Sequence, residues 1–311
     1  MTFFVVLNQV AILFLLMGLG YVLAKGGVLS GEGVSQMSWL LCYVVCPCII
    51  FVAFEMKYTS AMLGGLLATA AASFAVNLGS IGAGRLLFNK RTVPQAEDRT
   101  VLQFAAIFTN SGFMGYPLLQ GIAGSLGLFY GAAFNAVTNL FMWSYGLMLY
   151  RGRVNPRSFA RSLLNPNILA TLAGVVCFRL SLRPPGPLNA ALQDVSSLNT
   201  PLSMVLVGAS LSEVPFRRMF SGASNWLMLF VRNLALPVAA LFLLHAAGLH
   251  GTLLLCCVII TACPVAGVTV ILAQLTGRST ELPSRLVALT TLFSLATLPA
   301  VAGVLQALHF I

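Results

Sequence analysis

Thr109-Asn110-Ser111-Gly112-Phe113-Met114-Gly115-Tyr116-Pro117 and Thr261-Ala262-Cys263-Pro264-Val265-Ala266-Gly267-Val268-Thr269 interrupt two apolar stretches near their middles. Proline removes a backbone donor and clashes with the preceding turn of a helix. Glycine weakens a helix by about 1 kcal/mol relative to alanine. Each interrupted stretch is long enough to cross a bilayer, so the two breaks are expected at membrane depth.

The composition agrees with a membrane setting. Hydrophobic residues make up 59% of the 311-residue chain and charged residues only 8%, against roughly 25% charged in an ordinary soluble domain. The pattern predicts an all-α polytopic membrane protein with ten spans, at about 4–24, 35–54, 61–84, 101–122, 126–149, 163–181, 190–212, 221–245, 251–275 and 286–308. The first span lacks a basic leader and a small-residue cleavage site, so it is read as a retained helix.

The net charge of +10 follows from topology rather than from a nucleic-acid partner. With the N-terminus outside, the inner loops hold Lys25, Arg85, Lys90, Arg91, Arg99, Arg151, Arg153, Arg157, Arg161, Arg217, Arg218, Arg278 and Arg285. That is thirteen of the seventeen basic residues, against Lys57, Arg179 and Arg183 outside. Ten spans with both termini outside, in the cytoplasmic membrane, is the topology this distribution favours.

Five spans per half turn the second half over relative to the first. Residues 1–155 and 156–311 are therefore expected to form two inverted five-helix repeats. Feature order supports this, with Pro47 and Pro201 in spans two and seven and the two breaks in spans four and nine. Matched interruptions in two halves point to a substrate site between them. Freed backbone groups are tolerated in a membrane only inside protein or beside a water-filled cavity. The half-helix after each break aims its positive end into that space, which favours an anion, most simply a carboxylate. The candidate binding residues are Thr109, Asn110, Ser111 and Gly112 with Pro264, Val265, Ala266 and Gly267. Asn110 and Ser111 are expected to add side-chain donors.

At these residues the chain resembles the auxin efflux carrier family of membrane transporters. The matching stretches are NSGFMGYPLL (Asn110 to Leu119), LLNPNILATLAG (Leu163 to Gly174), PLSMVLVGASL (Pro201 to Leu211) and CPVAGVTVILAQ (Cys263 to Gln274), with CPCIIF (Cys46 to Phe51) fitting less tightly. The resemblance implies a fold similar to the sodium–bile acid symporters, with broken helices 4 and 9 crossing and an organic anion bound beside the crossing. It implies a scaffold of helices 1, 2, 6 and 7 that carries a dimer contact, and a transport unit of helices 3–5 and 8–10. Plant carriers commonly have proline where this chain has Thr109, and often a polar residue where it has Val265.

Other polar residues in the spans leave alternatives open. Arg232 either snorkels or makes a structural pairing, or else it serves substrate binding or gating. Asn135, Thr138 and Asn139 either line the pathway or bond neighbouring helices. Glu32, Glu55, Glu97, Asp98, Asp194, Glu213 and Glu281 all lie in loops or near span ends, which argues against a relay of buried carboxylates. The seven cysteines lie within spans and make no paired CxxC, so no metal and no cofactor are expected. No P-loop and no catalytic constellation is visible. The expected function is secondary transport of a small organic anion by alternating access, not an enzyme activity. The alternative is a ligand-binding membrane sensor or a channel using the same site.

Overall fold

The computed structural model describes residues 2–152 and 164–308. Arg153, Arg157, Arg161, His309 and the boundary expected between the halves lie outside the described residues. Among those described, the chain is helical, with no strand and one isolated antiparallel bridge between Thr109 and Val265. The helices are α1 (Thr2–Lys25), α2 (Gly31–Ala53), α3 (Ser60–Leu87), α4 (Ala96–Ile107), α5 (Ser111–Arg151), α6 (Pro166–Leu180), α7 (Gly186–Ser197), α8 (Asn199–Ser212), α9 (Phe216–Met219), α10 (Ala223–Ala246), α11 (Gly251–Ala262), α12 (Val268–Leu275) and α13 (Glu281–Ala307).

Six of these, α1, α2, α3, α5, α10 and α13, are long and apolar enough to cross a membrane. Their outward faces are apolar, as a lipid-facing surface requires. On α1, Val6, Val10, Leu13 and Met17 are buried, while Phe4, Leu15, Leu19 and Val22 are exposed. α4 and α11 have 12 residues each, about 18 Å at 1.5 Å per residue. That is too short to span, and both stop at the breaks.

Two expected boundaries change. The join expected between 122 and 126 is not a loop. Helix runs up to and away from Gly124, which turns the chain at φ 58° and ψ −144°, a conformation that a residue lacking Cβ adopts readily. The stretch expected as one span at 190–212 is two helices meeting at Leu198. Pro201 therefore sits in the first turn of α8, where its missing N–H leaves no ladder bond unmade.

The prolines act elsewhere. Three five-residue π-turns, Leu41–Val45, Ser111–Gly115 and Val231–Ala235, each end two residues before a proline, at Pro47, Pro117 and Pro237. A proline cannot donate to the carbonyl four residues back, and its ring pushes that carbonyl aside. The ladder slips by one residue in response. Cys46 N–H bonds the Leu41 carbonyl, Tyr116 N–H that of Ser111, and Leu236 N–H that of Val231. The Phe113 carbonyl, left without the Pro117 donor, accepts the Ser203 hydroxyl of α8 at 3.0 Å.

α1 and α8 pack backbone to backbone. A Cβ built on Gly20 would overlap the Val205 carbonyl, and one on Gly208 would overlap that of Met17. Small residues permit this approach in a membrane, where packing rather than the hydrophobic effect holds helices together. Gly208→Val is expected to cost about 1–3 kcal/mol by overpacking. The check is a lowered thermal midpoint in detergent. Gly79→Ala, with nothing within 4 Å of the added carbon, is expected to leave the midpoint unchanged or raised.

Candidate functional site at the helix crossing

The residue before a proline is pushed out of the helical region. Cys263, before Pro264, is extended at φ −60° and ψ 147°, and α11 ends there. Phe108 is extended at φ −101° and ψ 123°, ending α4. The two extended segments lie antiparallel. Asn110 N–H donates to the Pro264 carbonyl at 2.8 Å, and Ala266 N–H to the Phe108 carbonyl at 3.1 Å. Val265 N–H donates to Thr290 Oγ1 on α13 at 3.1 Å. The two breaks that the sequence singled out therefore meet and satisfy one another.

Four half-helix ends converge here: the C-terminal ends of α4 and α11 and the N-terminal ends of α5 and α12. The C-terminal ends share one side chain. Arg232 of α10 is fully buried, and its guanidinium donates to the Ala106 carbonyl at 2.9 Å and to the Thr261 carbonyl. A cation is favourable at a helix C-terminus, where the last carbonyls lack intrahelical donors. Arg232 does not snorkel; it points inward and pairs with two backbone carbonyls. Its Nε is buried without a partner among the described residues.

The N-terminal ends are more open. Among the described residues the Asn110 side-chain amide has no hydrogen-bond partner, although the residue is only 7% exposed. A Cβ built on Gly112 or on Gly267 meets nothing within 4 Å, so there is open space beside the start of both α5 and α12. Ser111 and Asn135 are committed to the protein. Ser111 Oγ donates to Asn135 Oδ1 at 2.7 Å, and Asn135 Nδ2 donates to Tyr116 Oη at 2.8 Å. The expected Ser111 donor is thus already spent. The same holds for the Val265 and Ala266 amides, and Pro264 has no N–H to offer. Among the described residues the Thr109 side chain has no hydrogen-bond partner, and Thr109 serves the crossing through its backbone.

The polar cluster expected on residues 135–139 divides. Thr138 faces α3, where Asn77 Nδ2 donates to its Oγ1 at 3.1 Å and Ser73 Oγ lies 3.3 Å away. Asn139 is half-buried, and no hydrogen bond ties its side chain to the crossing. Sequence reasoning missed Thr290, Tyr116 and Ser203. The signal for the first was present, because Thr290, Thr291, Ser294 and Thr297 recur at helical spacing in an otherwise apolar segment.

A separate cavity of about 170 Å³ lies among the starts of α4, α10 and α13, lined by Asp98, Leu102, Ser221, Asn225 and Arg285 among others. It does not include the crossing residues. Among the described residues no three His, Cys, Asp or Glu side chains gather as a metal site.

Residues 5–159 and 153–302 match the family described as membrane transport protein. An uncharacterized transporter of Methanothermobacter thermautotrophicus is 28% identical over 283 residues, covering 90% of this chain and 92% of that protein. A Rhizobium meliloti protein named "Putative malonate transporter" is 24% identical over 290 residues, covering 90% and 89%. An uncharacterized transporter of Methanocaldococcus jannaschii is 24% identical over 302 residues, covering 93% and 95%.

The Thr290 contact gives a direct test of the crossing. Thr290→Val keeps the shape but strands the buried Val265 N–H, an expected cost of about 1–3 kcal/mol. Thermal unfolding should show a lowered midpoint for Val and a near-normal one for Thr290→Ser.

Proposed function

The chain belongs to the membrane transport protein family, the family of the auxin efflux carriers, and from that premise we propose that it is a secondary transporter. It moves a small organic anion, a carboxylate, across the cytoplasmic membrane by alternating access. The observation that carries this reading is the crossing itself. Two half-helix N-terminal ends start at the crossing, with open space beside Gly112 and beside Gly267 and the Asn110 side-chain amide without a partner among the described residues. Oriented donors and a positive dipole end suit a carboxylate. The name of the Rhizobium relative makes malonate the first substrate to try.

In this reading ten spans cross the bilayer. α4 with the start of α5 forms the fourth, the remainder of α5 the fifth, α7 with α8 the seventh, and α11 with α12 the ninth. Both termini lie outside, and the halves are inverted repeats. A common spacing supports the repeat: 156 residues separate Thr109 from Val265, the bridge partners, and also Asn77 from Asn233. Asn77 bonds Thr138 on α5, and Asn233 bonds the Thr290 carbonyl and Thr297 on α13. The scaffold is α1, α2, α6, α7 and α8, and it carries the contact between two copies. The direct ligand groups narrow to Asn110, Gly112 and Gly267, with Thr109, Ser111, Pro264, Val265 and Ala266 building the frame that holds them.

The test is counterflow in proteoliposomes. Preloaded unlabelled malonate should drive uptake of labelled malonate, because a carrier exchanges substrate while a sensor or an open channel does not. Asn110→Ala should lower the affinity about tenfold or more, the value of a hydrogen bond to a charged group. The amount of folded, inserted protein should stay the same. Uptake kinetics unchanged by that substitution would remove Asn110 from the site.

A further inference from the structure

Arg232 poses a charge problem that the transport reading does not by itself answer. It lies in the Val231–Ala235 π-turn of α10, fully buried, with its guanidinium on the last turns of α4 and α11. No carboxylate is near enough to balance it. None of the seven Asp and Glu residues is buried, and the one ion pair among the described residues joins Arg218 to Glu281 at the surface. A buried cation without compensation is costly, so something else must offset it.

The helix ends supply part of the answer. Each end carries roughly half an elementary charge, positive at the N-terminus and negative at the C-terminus. The two C-terminal ends of α4 and α11 together offset the charge of Arg232. The two N-terminal ends of α5 and α12 then stay uncompensated, equivalent to about one positive charge. Without Arg232, the four ends would cancel as a set and the crossing would have no preference of sign. With it, the N-terminal ends of α5 and α12, with open space beside Gly112 and beside Gly267, are left positive by about one unit together.

We propose that Arg232 is a positioning residue that clamps the two C-terminal half-helix ends and thereby sets the site to accept one negative charge. This rests on the transport reading above and names its substrate class more narrowly, as a singly ionised carboxylate. A second ionised carboxylate would lose its hydration with no charge left to meet it. A dicarboxylic acid is therefore taken with its second carboxyl protonated. Arg232 does not touch the substrate. Its action passes through the Ala106 and Thr261 carbonyls and the geometry of the crossing that they hold.

The experiment compares ligands of different charge on purified wild type, Arg232→Gln and Arg232→Lys, by calorimetry or thermal shift, with transport measured alongside. The probes are malonate, its singly charged monomethyl ester, the neutral malonamide, and nitrate as a monovalent inorganic anion. On wild type, malonate should bind more tightly as the pH falls towards its second ionisation, while the monomethyl ester should bind independently of pH. Arg232→Gln should weaken the monomethyl ester about tenfold or more and leave malonamide unaffected, a split between ligands that a general loss of structure does not produce. Arg232→Lys should restore ester affinity to within about threefold, because the charge returns. It should still slow transport, because an ammonium lacks the planar fork that holds two carbonyls at once.

A folded Gln variant with unchanged ester affinity overturns the proposal, as does a wild type that prefers the dianion. If the Gln variant does not fold, the wild-type pH series and the Lys variant decide. A Lys variant transporting at the wild-type rate overturns the clamp. Nitrate separates the two readings. A wild type that ignores every carboxylate yet binds nitrate in an Arg232-dependent way overturns the substrate class alone, and one that binds no anion overturns both.

Discussion

The exchange of two backbone hydrogen bonds between Asn110 and Pro264 and between Ala266 and Phe108 holds the centre of this protein together. In hydrocarbon an unmade backbone bond costs several kcal/mol. A helix broken at that depth leaves both donors and acceptors without partners. One break alone would need a ligand, a water or a side chain for each of them. Two breaks laid antiparallel supply part of what each other lacks, and Pro264 reduces the requirement because it has no donor to satisfy. Side chains supply more, Thr290 at the Val265 amide and Arg232 at the Ala106 and Thr261 carbonyls. The directions of α4, α5, α11 and α12 all follow from that short bridge.

The same logic runs through the rest of the helices. Where a proline removes a ladder donor, a π-turn takes up the slip, and a hydroxyl can reach the freed carbonyl, as Ser203 reaches Phe113. Ser73, Asn77 and Thr138 tie α3 to α5, and Asn233, Thr290 and Thr297 tie α10 to α13. Polar groups inside a membrane protein are expensive unless bonded. Most of the buried ones among the described residues bond a neighbouring helix or their own helix's backbone, so a polar side chain at depth does not by itself mark a binding site. Asn110 combines a side-chain amide without a partner among the described residues with open space at Gly112, two residues on.

Much of this was legible in the sequence, and the remainder failed for identifiable reasons. The breaks could be read because proline and glycine act locally, through one residue's own backbone. Their meeting followed from opposite directions of travel. Ser111 was misread as a free donor because its acceptor, Asn135, lies a full helix away from the break. Arg232 allowed a snorkelling reading because distance from a helix end is visible in a sequence, whereas the direction a side chain faces is not. The turn at Gly124 was read as a short loop because a single left-handed residue joins two helices without any polar linker. Thr290 went unnoticed because its partner is an amide 25 residues earlier in the chain.

A 156-residue spacing brings two pairs of residues into correspondence. Shifted by that amount, Thr109 falls on Val265 and Asn77 on Asn233. The first pair forms the bridge, and both members of the second bond the helix that follows the break in their own half. Side chains at the crossing do not repeat in the same way. Asn110 falls on Ala266, Ser111 on Gly267, Thr290 on Phe134 and Arg232 on Val76, so a polar group at one position meets an apolar one at the other. Asn110 and Arg232 also keep donors without a partner among the described residues, the Asn110 amide and the Arg232 Nε. Unspent donors are not confined to the crossing, because Asn199 Nδ2 and Arg285 Nε are also buried without a partner among the described residues. What the bridge, the Thr290 hydroxyl and the Arg232 guanidinium share is that each answers a backbone group freed by a break, and that is what lets two interrupted helices share one crossing.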